Sequence, residues 1–168
     1  MESLVVVTEG CIDPHFWSGR RVFLTGHTGF KGSWLTVWLH MLGAKVAGYA
    51  LAPDTDPSMF GALRLTDLCR HQIGDVADLP GLRSAVGRFA PEIVIHLAAQ
   101  PLVRRSYDEP ILTFQTNIMG TANLLEAARA VDTVKAVVVV TTDKCYLNKS
   151  AGTSFIESDS LGGADPYG

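Results

Sequence analysis

Short apolar runs rich in β-branched and aromatic residues punctuate the chain: Val22–Leu24, Val46–Tyr49, Ile93–Leu97 and Val137–Val140. With a weaker run closed by Gly74-Asp75, they predict strands over 21–26, 45–50, 72–76, 92–99 and 134–142. Between them the apolar spacing changes to three and four residues, the period of a helix. Trp34, Leu35, Trp38, Leu39 and Leu42 predict an amphipathic helix over 30–42, stopped by Gly43. Asp78 is placed to cap a second helix through 89, with Leu79, Leu82, Ala85, Val86 and Phe89 on one face. A short helix over 58–65 and a long one over 110–130 complete the pattern. Ile93, Val94, Ile95 and Leu97 leave the fourth run apolar on both faces, as a central parallel strand requires. Strands alternating with helices predict an α/β domain built on a doubly wound parallel sheet.

Composition agrees with one globular domain: 168 residues, 47% hydrophobic and 18% charged. A net charge of −3 offers no footprint for nucleic acid or an anionic membrane. The run Leu4–Val7 is too short for a signal-peptide core, and no long apolar span occurs, so a cytoplasmic location is expected. Cys11, Cys69 and Cys145 are odd in number and unpatterned, which fits reduced thiols better than disulfides or a metal site. Residues 1–20 read as an N-terminal extension and 21–168 as the domain, with Phe16 and Trp17 packing on its rim.

The most informative stretch follows the first strand. Gly26, Gly29 and Gly32 recur every three residues and lead into the first helix. Strand, glycine turn and helix form the opening unit of a dinucleotide-binding (Rossmann) fold, in which a pyrophosphate rests on the helix N-terminus. Ligands in such sheets lie beyond the carboxyl ends of the strands, so candidate groups should follow each strand. After the first come His27 and Lys31, near the phosphates, although Lys31 could equally be a solvated helix charge. After the second come Asp54 and Asp56, 28 and 30 residues beyond Gly26, against about 20 for the usual ribose-binding acid. An acidic loop with no ligand fits them as well. That loop has no arginine before Arg64, which favours NAD, while Lys31 leaves NADP open. Asp75 suits an adenine amino group or a plain turn. Ala98, Ala99 and Gln100 would let a nicotinamide ribose lie against the backbone. Thr142, Asp143 and Lys144 end the last strand abruptly, and Tyr167 follows Pro166, a residue that suits a helix start.

Together these stretches resemble the extended short-chain dehydrogenases/reductases, and among them the sugar-nucleotide 4,6-dehydratases. The shared segments are Phe16–Arg21, Thr25-Gly26-His27-Thr28-Gly29-Phe30-Lys31-Gly32, His96–Arg104, Asn117–Thr121, Thr142-Asp143-Lys144-Cys145-Tyr146 and Asp165-Pro166-Tyr167. The resemblance adds Phe30, Val76, Leu97 and Asn117 to the cofactor-binding set. It implies a lyase that holds NAD and, from its more particular stretches, acts on CDP-glucose. Hydride leaves C4 of the hexose, water is lost across C5 and C6, and the hydride returns to C6. Tyr167 would take the C4 hydroxyl proton, Thr142 would bond that hydroxyl, and Asp143 would protonate the departing C6 oxygen. Lys144 stands where related dehydratases keep a glutamate. A lysine removes a proton only when neutral, so proton abstraction and enolate stabilisation both stay open.

The resemblance also places a lysine four positions after Tyr167, beyond Gly168. The expectation is therefore a dinucleotide-binding domain incomplete at its C-terminal end, with the substrate domain absent and the last strand's apolar face exposed. A complete protein would be a homo-oligomer pairing through the helix near 110–130. An epimerase or reductase of the same family, and a non-catalytic nucleotide-binding half-domain, remain alternatives.

Overall fold

A computed structural model describes residues 13–147, 152 and 154–168; Cys11 and the run Leu4–Val7 lie outside the described residues. Five parallel strands form one sheet: β1 (Arg21–Thr25), β2 (Lys45–Ala50), β3 (Arg70–Ile73), β4 (Ile93–His96) and β5 (Ala136–Val139). Their order across the sheet is β3-β2-β1-β4-β5. The chain winds outward from β1 in both directions, so the crossovers lay helices on both faces. The helices are α1 (Pro14–Trp17), α2 (Phe30–Met41), α3 (Met59–Ala62), α4 (Leu79–Phe89), α5 (Val103–Asp108), α6 (Pro110–Phe114) and α7 (Gly120–Arg129). A π-helical turn, Gln115–Met119, joins α6 to α7.

Alternation along β1 divides the core. Val22 and Leu24 meet Leu39, Val46 and Ile95 on one face, with Trp17 and Leu35 packed against them. Phe23 meets Tyr49, Leu82, Val86, Phe89, Val94 and Leu124 on the other. Each such aliphatic or aromatic side chain contributes about 1.5–3 kcal/mol through its burial. Asp78 caps α4 as expected, its carboxylate accepting from the Gly81 amide. Trp17 brings α1 onto the rim, and Arg20 stacks on Phe16 at 4.5 Å.

Several expectations are corrected. β3 begins at Arg70, where its pairing with β2 starts, and it ends before 76: Gly74 still donates to the Ala50 carbonyl, but the Asp75 carbonyl accepts from the Asp78 amide in the turn into α4. β4 stops at His96: the Leu97 amide is shared between the Thr25 carbonyl of β1 at 3.3 Å and the Thr25 hydroxyl, and the Ala98 amide turns to that hydroxyl. α5 was not expected, and the helix over 110–130 is interrupted by the π turn. The Pro166 segment forms a turn in which the Asp165 carboxylate accepts from the Tyr167 and Gly168 amides.

The largest correction concerns α2. Its buried face is Gly32, Ser33, Thr36 and Leu39, while Trp34 and Trp38 are 54% and 49% exposed. Small residues let the helix approach the sheet more closely than an indole would permit. Their hydroxyls are satisfied inside, Ser33 donating to the His27 carbonyl and Thr36 to that of Gly32. Leu39→Ala is expected to cost about 2–5 kcal/mol of stability. Trp38→Gln should cost less than about 1 kcal/mol. Urea unfolding of both variants checks this, and the reverse ranking would place the tryptophan in the core.

Candidate functional site

At the carboxyl edge the three glycines play different parts. Gly26 has φ +74°, and a Cβ there would sit 2.7 Å from the Ala98 amide nitrogen. A Cβ on Gly32 would fall 2.1 Å from the Gly26 carbonyl oxygen, so α2 rests directly on the turn. Gly29 is different: its φ is −78°, and a Cβ would meet nothing nearer than the Gly26 oxygen at 3.5 Å. Nothing in the protein's own packing requires glycine at that position. Among the described residues, the amides of Phe30, Lys31 and Gly32 have no backbone acceptor. The turn thus presents a side-chain-free surface and the positive end of a 12-residue helix, a combination suited to an anion.

Phe30 and Lys31 are exposed on the first turn of α2. The His27 imidazole, expected near the phosphates, instead lies fully buried beneath the turn. Its Nε2 meets His71 Nδ1 at 2.7 Å, and Gly48 leaves room for the ring. Burial, and then the neighbouring His71, lower the His27 pKa to about 4. Its Nδ1 has no partner among the described residues.

The remaining candidates divide into exposed and structural groups. Asp75 is exposed at the end of β3, its carboxylate accepting from the Ala77 amide at 2.9 Å. Val76 points into the core against Gly120, and its carbonyl accepts from Asn123. Leu97 packs on the Val22–Leu24 face, while Ala98 is half-buried and Ala99 exposed. Asn117 and Gln100, expected to touch a ligand, spend their side chains on the protein. Asn117 accepts from the Gln100 amide at 2.8 Å and donates to its carbonyl at 3.2 Å. The Gln100 side chain donates to the Leu102 carbonyl and to Thr113, and accepts from the Leu102 amide. Both residues therefore hold the 97–102 turn in place.

Beyond β5, Asp143–Cys145 form a single 3₁₀ turn capped by Thr142, whose hydroxyl accepts from the Lys144 amide at 3.2 Å. The chain then folds back on this stretch. Leu147 donates to the Ser160 carbonyl and Gly162 to that of Cys145, each at 2.9 Å. Gly168 lies so close that a Cβ would sit 2.8 Å from the Lys144 oxygen. Tyr167, half-buried, precedes Gly168 on this returning segment. Cys69 is held far from reactivity, burial raising its pKa to about 11.

Sequence reasoning gave no role to Thr25, His71, His96, Thr113 or Thr121, although Thr25, His96 and Thr121 fall in the shared segments. One signal was available for His96, a lone polar residue at the end of the apolar run Ile93–Ile95. Buried, it has its pKa lowered to about 4.

The GDP-mannose 4,6 dehydratase family profile matches residues 23–168. The CDP-glucose 4,6-dehydratase of Salmonella typhimurium is 54% identical over 156 residues, covering 93% of this chain and 44% of that protein. A UDP-glucose 4-epimerase of Mycolicibacterium smegmatis is 35% identical over 70% of this chain and 37% of its own length. Among solved structures, the UDP-glucose-4-epimerase of Stenotrophomonas maltophila, with bound NAD and formylated UDP-arabinopyranose, superposes with a TM-score of 0.77. It is 27% identical and is matched over 88% of this chain and 44% of its own. The chain thus spans under half the length of these relatives. No helix among the described residues is long and apolar enough to cross a membrane.

Gly29→Ala is expected to change stability by less than about 1 kcal/mol, whereas Gly32→Ala must displace α2 and should cost several times more; chemical denaturation of both variants checks this. Acid should weaken the fold through the two buried imidazoles. Each takes a proton near 6.5 when unfolded and only near 4 when folded. Stability is therefore full above about pH 6.5 and falls toward pH 4, by up to about 1.4 kcal/mol per pH unit for each ring. A urea midpoint unchanged between pH 7 and pH 5 would show that the rings are solvated.

Proposed function

The chain belongs to the GDP-mannose 4,6 dehydratase family, and from that membership we propose that it forms the coenzyme-binding part of an NAD-dependent sugar-nucleotide 4,6-dehydratase. CDP-glucose is the substrate and CDP-4-keto-6-deoxyglucose the product. The observation that supports the reading is the return of residues 160–168 onto Asp143–Leu147, which sets Gly168, the residue after Tyr167, against the Lys144 carbonyl. The 54% identity to the Salmonella enzyme supports the choice of substrate.

The open space at Gly29 and the unpartnered amides of Phe30–Gly32 fit a dinucleotide pyrophosphate. Asp75 fits the adenine end, and Ala98 and Ala99 leave a flat surface for the nicotinamide ribose. Exposed Asp54 and Asp56 in the loop after β2 disfavour a 2′-phosphate, so NAD is preferred over NADP. NAD bound there would supply the hydride chemistry, as acceptor at C4 and donor at C6, so that the reaction is redox-neutral. Tyr167 receives the C4 hydroxyl proton, and Thr142 hydrogen-bonds the same oxygen. Asp143 gives its proton to the departing C6 hydroxyl. Lys144 either removes the C5 proton in its neutral form or stabilises enolate charge as a cation. Homo-oligomer formation through the 110–130 helix belongs to the same reading, supported by the exposure of Ile111, Phe114, Ile118 and Leu125.

The epimerase relatives give a second reading. Inverting C4 needs no acid for a departing hydroxyl, so Asp143 separates the two. With CDP-glucose and NAD⁺, Asp143→Asn should slow water loss by about 100-fold or more while C4 oxidation, read as NADH absorbance, persists. Equal loss of both steps would remove Asp143 from its role. Inversion at C4 without water loss would favour the epimerase.

A further inference from the structure

The hydrogen bonds around His96 admit one arrangement of protons. Thr121 Oγ1 lies 2.7 Å from the Asn117 carbonyl, which can only accept, so the Thr121 hydroxyl hydrogen is spent there. His96 Nε2, 3.1 Å from the same hydroxyl, must then be the donor to it. The other end gives the same answer independently. Thr25 Oγ1 already accepts from the Leu97 and Ala98 amides, each at 3.2 Å. Its own hydrogen is therefore directed to His96 Nδ1, 2.6 Å away. A second ring proton would face a hydroxyl oxygen with both lone pairs engaged.

We propose that His96, as the Nε2–H tautomer, is a positioning residue that locks the 97–100 turn against the glycine turn for coenzyme binding. One continuous chain of hydrogen bonds runs from the Leu97 and Ala98 amides through Thr25, His96 and Thr121 to the Asn117 carbonyl. The Asn117 side chain then holds Gln100 at the far end of the same turn. Thr25 and Thr121 lie on β1 and α7, so the imidazole joins three elements whose ends line the edge. An imidazole can do this because its two nitrogens donate and accept in opposite directions at a fixed separation. The depressed pKa agrees with a ring that stays neutral. The inference rests on the coenzyme reading above for its purpose, though not for its proton arrangement.

Two measurements on the purified chain test it. Two-bond ¹H–¹⁵N correlations at pH 7 should show His96 protonated at Nε2 and bare at Nδ1; a proton on Nδ1 overturns the proposal. Thr121→Val strands the Nε2–H donor and should weaken NAD⁺ binding about tenfold, whereas Thr121→Ser should bind within about twofold of the parent. Thr133→Val, which removes a bond to the Pro91 carbonyl at the opposite end of the sheet, controls for lost stability and should leave NAD⁺ affinity unchanged. Equal weakening by Thr121→Val and Thr133→Val, or none by Thr121→Val, overturns the positioning role. If the parent chain binds no NAD⁺, the coenzyme reading fails, and with it the purpose assigned to the lock; the nitrogen assignment then decides the proton arrangement alone.

Discussion

Three stretches of backbone meet behind β1 at distances that exclude side chains. Gly26 touches the Leu97–Ala98 backbone, and Gly32 rests on the Gly26 carbonyl. The rest of the edge follows from that contact. It seats the first turn of α2 against the sheet, so the unpartnered amides and the helix dipole come to the carboxyl edge. It also brings the turn after β4 within reach of Thr25, the residue that ends β1. Because the approach is so close, the inward face of α2 must be small. Glycine, serine and threonine occupy it, and the tryptophans stay outside.

The cost of this compactness is polar burial. Thr25, His27, Ser33, His96, Gln100 and Thr113 are all buried, and all lie at or beneath the same edge. An unpaired polar group there would cost about 1–3 kcal/mol, so the side chains are tied to one another and to loop backbone. Those ties are specific in direction, and they hold loops that have no strand or long helix of their own. The 97–102 turn is held by Thr25, Asn117 and the Gln100 side chain, and the π turn places Asn117 for that task. A candidate site can thus be rigid although few of its residues belong to regular elements. His27 Nδ1 is the exception, a buried nitrogen with no described partner.

Much of this was legible from pattern. β1, β2, α2 and α4 lie where period-2 and period-3.6 spacing placed them, because each depends on a local run and a local cap. The division of β1 into two faces could be read directly from Val22, Phe23 and Leu24. The ends of β3 and β4 could not. A strand stops where its partners stop, and Leu97 stays apolar while its amide is shared between the Thr25 carbonyl and hydroxyl and the Ala98 amide goes to the hydroxyl. α5 was hidden because its first residues, Val103 to Arg105, carry no capping residue, Leu102 occupying the cap position without a side-chain bond.

The candidate site divides along the same line. Chain order alone was enough to put the glycine turn, the alanine turn and the Thr142–Lys144 stretch after successive strands, since parallel winding brings every strand's end to one edge. It could not say which side chains there remain available. Asn117, Gln100 and His27 are as polar as Asp75 and Lys31, yet the first three are consumed by the fold and the latter two are exposed. Nor could spacing decide which face of α2 turns inward, because hydrophobicity ranks an indole above a glycine whereas close packing ranks the glycine first. Local periodicity determined the elements and their winding. The distances between backbones, which depend on all elements at once, decided which residues line the edge and which hold it together.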